Sequence, residues 1–182
     1  MEWAKQLLDF CASQEEAVLT YNASNMVLAV HSDAGYLNEK QARSRAEGHF
    51  FMSTDVPIPP NNGAILTIAQ IIKAVMASAA EAELGTLFRN AQEAKVMHLI
   101  LQELGYSPSP TPFHIDTKTT VGIVNNTIKH QKSRTMEMRY FWLLVYEAQS
   151  NFTFHYQPGQ ENLGDYPTKH HSVDIHQIVR PY

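Results

Sequence analysis

Short apolar blocks and helix-period stretches alternate along this chain in an order that already suggests a fold. Residues 2–12 (EWAKQLLDFCA) place Trp3, Leu7, Leu8 and Cys11 at helical spacing, which predicts a short amphipathic helix. MVLAVHSD then reads as a strand ending at Asp33. GYLNEKQARSRAEG reads as a polar turn region, GHFFMST as a second strand and AILTIAQ as a third, entered through the proline-rich DVPIPPNNG. Three strands joined by turns predict an antiparallel meander.

The clearest helix follows. Ser78-Ala79-Ala80-Glu81 is a capping-box pattern, so a helix should start there, run to about Leu104 and stop at Gly105. TPFHIDT predicts a fourth strand, KTTVGIVNN a short helix, TMEMRYFWLLVYEA a more apolar one, and NFTFHYQ a fifth strand. PGQEN then turns the chain into a terminal segment around LGDYPTK. The order is βββαβααβα, with the first helix as an appendage.

Composition narrows the picture. The chain has 182 residues, 44% hydrophobic and 18% charged, which suits one domain with a core and argues against wholesale disorder. Its formal net charge of −4 counts against a free-standing nucleic-acid binder, although a basic surface can be local or supplied by a larger polypeptide. The single cysteine, Cys11, excludes an intrachain disulfide and a cysteine-based zinc site, and fits a reducing compartment. The N-terminus lacks signal-peptide features and no stretch reaches the length of a membrane span, so an intracellular, membrane-free protein is expected.

Four acids stand out by placement. Asp33 and Asp116 close apolar strands, Glu83 opens the long helix, and Asp165 follows the last strand. Each alone is explicable as a turn, cap or surface residue. Together they are placed as a magnesium-dependent nuclease would need its hard oxygen ligands. Glu81 and Glu83 lie about 200° apart on a helix. Glu83 aligns with Leu87, Ala94 and Leu101 on the buried stripe, so it is the inward candidate, while Glu81 has a capping role.

The local words resemble the ribonuclease H domain of copia-type retrotransposon polyproteins. Ser32-Asp33-Ala34 resembles that family's SDA, SAAEAE (Ser78 to Glu83) its helix-opening STEAE word, and Glu161-Asn162 to Asp165 with Thr168-Lys169 its EN-x-x-D-x-x-TK ending. The match spans roughly residues 26–170. It implies an α/β ribonuclease H-like domain over 26–182: a five-stranded mixed sheet, three antiparallel strands first, with helices on its faces. Residues 1–25 resemble the segment that follows the polymerase region, whose own Tyr-x-Asp-Asp signature is absent.

The resemblance implies hydrolysis of the RNA strand of an RNA–DNA hybrid, as part of a reverse transcriptase. Asp33, Glu83, Asp116 and Asp165 would be the catalytic metal ligands for two Mg²⁺ ions, with Mn²⁺ able to substitute. The same resemblance leaves an alternative: a decayed or truncated retroelement fragment that keeps the fold as a weak nucleic-acid-binding module. One departure favours it. The mobile His of many relatives is missing from Gln157–Glu161, with His155 before that stretch and His170 and His171 after it.

Substrate-contact candidates are weaker. Lys132 and Arg134, with Lys129 and Arg139, form a basic cluster able to track phosphates. Lys118 lies two residues past Asp116, and Ser78 could touch a phosphate although capping explains it. Arg43 and Arg45 read as surface. His31 and His114 each precede a candidate ligand by two positions, where strand packing is preferred over zinc because no second soft ligand accompanies them. Tyr140-Phe141-Trp142 reads as buried aromatic surface rather than a base-stacking platform.

Overall fold

The computed structural model describes residues 2–12, 18–56, 59–125, 134–168 and 173–182. Helix α1 (Glu2–Ala12) precedes strands β1 (Val27–Glu39), β2 (Arg43–Ser53) and β3 (Ala64–Ile72). Helix α2 (Ala79–Glu103), β4 (Thr111–Ile115), α3 (Lys118–Val124), α4 (Arg134–Ala148) and β5 (Phe152–Tyr156) follow. Two 3₁₀ turns (Gly159–Glu161 and Leu163–Thr168) and α5 (Val173–Val179) complete the chain.

The five strands form one sheet in the order β3-β2-β1-β4-β5. β1–β2 and β2–β3 pair antiparallel, whereas β1–β4 and β4–β5 pair parallel. The expected mixed sheet is therefore present, with its antiparallel meander first.

One boundary differs from the sequence reading. Asp33 does not end its strand; β1 continues to Glu39 and β2 begins at Arg43, so the stretch read as a polar turn is a long hairpin. Its tip is only Lys40–Ala42, with Gln41 and Ala42 at positive φ. The pattern misled because Tyr36–Asn38 projects beyond the core and carries no apolar alternation. Backbone pairing and the Arg45–Glu39 ion pair hold this extension instead.

The long helix starts as its capping box requires. The Ser78 hydroxyl accepts from the Glu81 N–H at 3.2 Å, and the Glu81 carboxylate accepts the Ala77 N–H at 2.9 Å. Leu84, Leu87, Ala91, Ala94 and Leu101 then pack against Leu28 and Val30 of β1, Phe50 of β2, and Phe113, Phe152 and Phe154 of β4 and β5. Trp142 of α4 adds edge contacts to Phe88 and ring contacts to Tyr146 and Phe152, whereas Phe141 faces outward.

Residues before the sheet are tied to it. Thr20 donates to the Pro181 carbonyl at 2.8 Å, Gly63 donates to the Thr20 carbonyl at 3.0 Å, and the Asn22 N–H donates to Asn62 Oδ1 at 2.7 Å. Among the described residues, no helix is long and apolar enough to cross a membrane.

Candidate metal centre

Strand alternation divides the chemistry of β1 between two faces. Leu28 and Val30 face α2, and Ser32 joins them: its hydroxyl accepts from Asn90 of α2 at 2.9 Å. His31 and Asp33 therefore lie on the opposite face, which the 163–168 turn covers.

Three aspartates meet there. Asp33 comes from β1. Ile115 pairs in register with Ser32, so Asp116, one residue past β4, emerges level with Asp33. Asp165 arrives on the terminal 3₁₀ turn. One carboxylate oxygen from each of Asp33, Asp116 and Asp165 lies within 4.8 Å of the others. An all-oxygen donor set at this spacing suits a hard divalent cation.

The terminal turn is held by a clamp built on Asn162. Its Nδ2 donates to the Ser32 carbonyl at 3.1 Å, and its Oδ1 accepts the Gly164 N–H at 2.9 Å. The Leu163 N–H donates to His31 Nδ1 at 2.9 Å, and the Asp165 N–H donates to the Asn162 carbonyl at 3.0 Å. Gly164 lies so close to the strand that a Cβ there would sit 3.1 Å from the His31 carbonyl and 3.2 Å from the Asp33 nitrogen. Gly159 approaches Asp116 in the same way, with a built Cβ 3.1 Å from its Oδ2. Thr117 Oγ1 donates to the other Asp116 oxygen at 3.1 Å.

Glu83 is buried in the first turn of α2, on the inward stripe as expected. It approaches from the α2 face of the sheet, and the cluster with mutual spacing below 4.8 Å contains the three aspartates without it. Asn90, two turns further along the same stripe, is level with Ser32 and also donates to the Glu47 carbonyl at 2.8 Å. Glu83 therefore lies roughly 10 Å along the helix from that level, at 1.5 Å per residue.

Lys118 opens α3 beside Asp116, with its ammonium 4.9 Å from the centroid of the Tyr156 ring. Ser78 is engaged as the α2 cap. Arg139 packs over Phe88, with its guanidinium carbon 5.8 Å from the ring centroid. Arg134 heads α4, while Lys129, Lys132, His170 and His171 lie outside the described residues.

Two features escaped the sequence reading. The first is a row of histidines across four strands: His49, His31, His114 and His155 are mutual register partners. Ring centroids are 6.3 Å apart for His31–His49, 5.2 Å for His31–His114 and 5.7 Å for the stacked His114–His155 pair. Burial, then the neighbouring His114 and His49, hold His31 well below its ordinary pKa, which suits its role as acceptor from Leu163. Burial lowers His49 and His114 to about 4, and also lowers His155. His31 and His114 thus pack within a row of rings, and His31 also anchors the terminal turn.

The second is Glu47, fully buried on β2 as the register partner of Asp33. Burial, reinforced by Asp33 and Asp165 and opposed by Arg45, pushes its carboxyl up to about 8. Reading Arg45, Glu47, His49 and Phe51 with a period of two would have put Glu47 on the face of Asp33. The polar-turn assignment hid it.

The architecture is a ribonuclease H-like fold. The N-terminal RNase H domain of a Mycobacterium tuberculosis protein superposes with a TM-score of 0.57 at 13% identity, covering 85% of this chain and 96% of that one. LC11-RNase H1 from compost gives 0.57 at 12% identity, covering 78% and 92%. Its complex with an RNA/DNA hybrid gives 0.54 at 9% identity, covering 74% and 88%. In sequence, the chain is similar to the retrovirus-related Pol polyprotein from transposon TNT 1-94 of Nicotiana tabacum, 22% identical over 142 residues. That match covers 78% of this chain and 10% of the polyprotein. No family model matches. Fold and sequence similarity together support the resemblance to a ribonuclease H domain of a retrotransposon polyprotein.

Proposed function

We propose that this chain is a divalent-metal-dependent endoribonuclease that cleaves the RNA strand of RNA–DNA hybrids, within a copia-type reverse transcriptase. The observation that carries the reading is the convergence of Asp33, Asp116 and Asp165 within 4.8 Å on a ribonuclease H fold. Binding of an RNA/DNA hybrid by a structural neighbour supports the substrate class. Residues 1–25 are then the link to a polymerase region.

Asp33, Asp116 and Asp165 would hold the cations, with Glu83 as the fourth ligand reaching from the helix. A bound Mg²⁺ pair supplies a water nucleophile at neutral pH and charge stabilisation at the leaving oxygen. The chain's own part is positional. Asn162 and His31 fix the turn that presents Asp165, Gly159 permits close approach to Asp116, and the β1–β4 register sets Asp33 beside Asp116. Lys118, two residues past Asp116, would meet a phosphate there. RNA would be distinguished through its 2′-hydroxyls, with slight sequence preference.

The test is cleavage of a labelled RNA–DNA hybrid with Mg²⁺ or Mn²⁺, with Asp33→Asn as control. Metal-dependent cleavage lost in the variant supports the reading. Equal background from both proteins overturns it in favour of a fold-retaining, inactive fragment.

A further inference from the structure

Glu47 is a buried carboxyl group that its surroundings leave unpartnered. Its side chain is fully buried, and neither oxygen accepts a hydrogen bond among the described residues. Burying such a group without partners is costly. Arg45, the nearest cation, does not relieve it. Its Nε is 3.9 Å from Glu47 Oε1 but 2.6 Å from Glu39 Oε1, and its Nη2 is 2.5 Å from that same Glu39 oxygen. Arg45 is thus taken up by the hairpin.

What Glu47 does face is acid. It is the cross-strand register partner of Asp33, which sets Cβ atoms about 5 Å apart on one face. A buried carboxylate set against an aspartate of a proposed cation site is explained by a cation.

We propose that Glu47 is a further carboxylate ligand of the divalent-cation site, contributed by β2 on the same sheet face as Asp33; like Glu83, it lies outside the three aspartates whose oxygens are mutually within 4.8 Å and would close on the cation when it binds. This rests on the metal-centre reading above. It assigns a role to a strand that the four-acid arrangement leaves without one. It also gives the site a denser negative lining than three aspartates and Glu83 alone provide.

The experiment is calorimetric titration of the full chain with MnCl₂, comparing wild type, Glu47→Gln, Glu47→Asp and Asp33→Asn. Thermal melts in EDTA check folding. The expected result is a loss of Mn²⁺ affinity of about tenfold or more in Glu47→Gln, partial recovery in Glu47→Asp, and melts in EDTA no lower than wild type. Wild-type Mn²⁺ affinity in Glu47→Gln, with binding lost in Asp33→Asn, overturns this assignment alone. No Mn²⁺ binding by a folded wild-type chain overturns the metal centre and this assignment together. Should Glu47→Gln fail to fold, a manganese-soaked crystal of the wild type decides: a Glu47 oxygen bonded to an ion supports the ligand role, and a carboxylate with no ion in reach overturns it.

Discussion

The backbone N–H of Leu163 donates to Nδ1 of His31 across 2.9 Å, joining residues 132 positions apart. A neutral histidine in the middle of the sheet thereby anchors the turn that carries Asp165. The ring has to stay unprotonated at that nitrogen, and its burial between His49 and His114 keeps it so.

Removing the clamp should weaken the metal centre without removing a ligand. Asn162→Ala deletes the bonds to the Ser32 carbonyl and the Gly164 N–H. A stability loss of about 1–3 kcal/mol is expected. Mn²⁺ affinity should fall about 10–100-fold, the usual cost of losing a residue that orients a ligand. Urea melts and calorimetry check the two effects separately.

Gly164→Ala should act at the same point by crowding. The added methyl would meet Asn162 Oδ1 at 3.0 Å and the β1 backbone at 3.1 and 3.2 Å. The turn must lift from the strand, at a cost of about 1–3 kcal/mol. Hydrogen exchange should show faster exchange at the Leu163 and Asp165 amides than in the wild type.

Stability of the metal-free chain should peak at about pH 6.5 and fall on both sides. The folded state holds His31, His49, His114 and His155 below their ordinary 6.5, so they favour folding fully above that pH and progressively less as pH falls, for His49 and His114 toward about 4. Glu47 has the opposite sign. Its pKa rises from 4.5 to about 8 on folding, so its contribution is full below 4.5 and lost as pH climbs to 8. Each group contributes a slope of up to about 1.4 kcal/mol per pH unit. Four histidines outweigh one glutamate on the acid side, which should be the steeper limb. Urea melts in EDTA from pH 4 to 9 measure this, and Glu47→Gln should flatten the alkaline limb.

Neutralising an aspartate should trade activity for stability. Asp116→Asn removes one of three carboxylates crowded within 4.8 Å. Metal-free stability should rise by about 0.5–1 kcal/mol as repulsion is relieved. Hybrid cleavage should fall by about 10²-fold or more. Parallel melts and cleavage rates, with and without Mg²⁺, check both directions.

Local chemistry already determined much of this protein from its amino-acid order. The capping box at Ser78 and Glu81 fixed the start of α2, because backbone donors at a helix end need partners near in sequence. Apolar blocks located five strands, and the inward stripe of α2 put Glu83 on its buried side. The words around Asp33, Glu83 and Asp165, with the strand-end position of Asp116, were enough to nominate those acids.

Only the tertiary structure decided which groups share a space. The β1–β4 register brings Asp116 level with Asp33, and the Asn162–His31 clamp brings Asp165 to both. The extended hairpin aligns Glu47 with Asp33 and completes the histidine row with His49. These are contacts between strands far apart in the chain. Strand pairing sets them through backbone hydrogen bonds, which carry almost no signature of which side chains will meet.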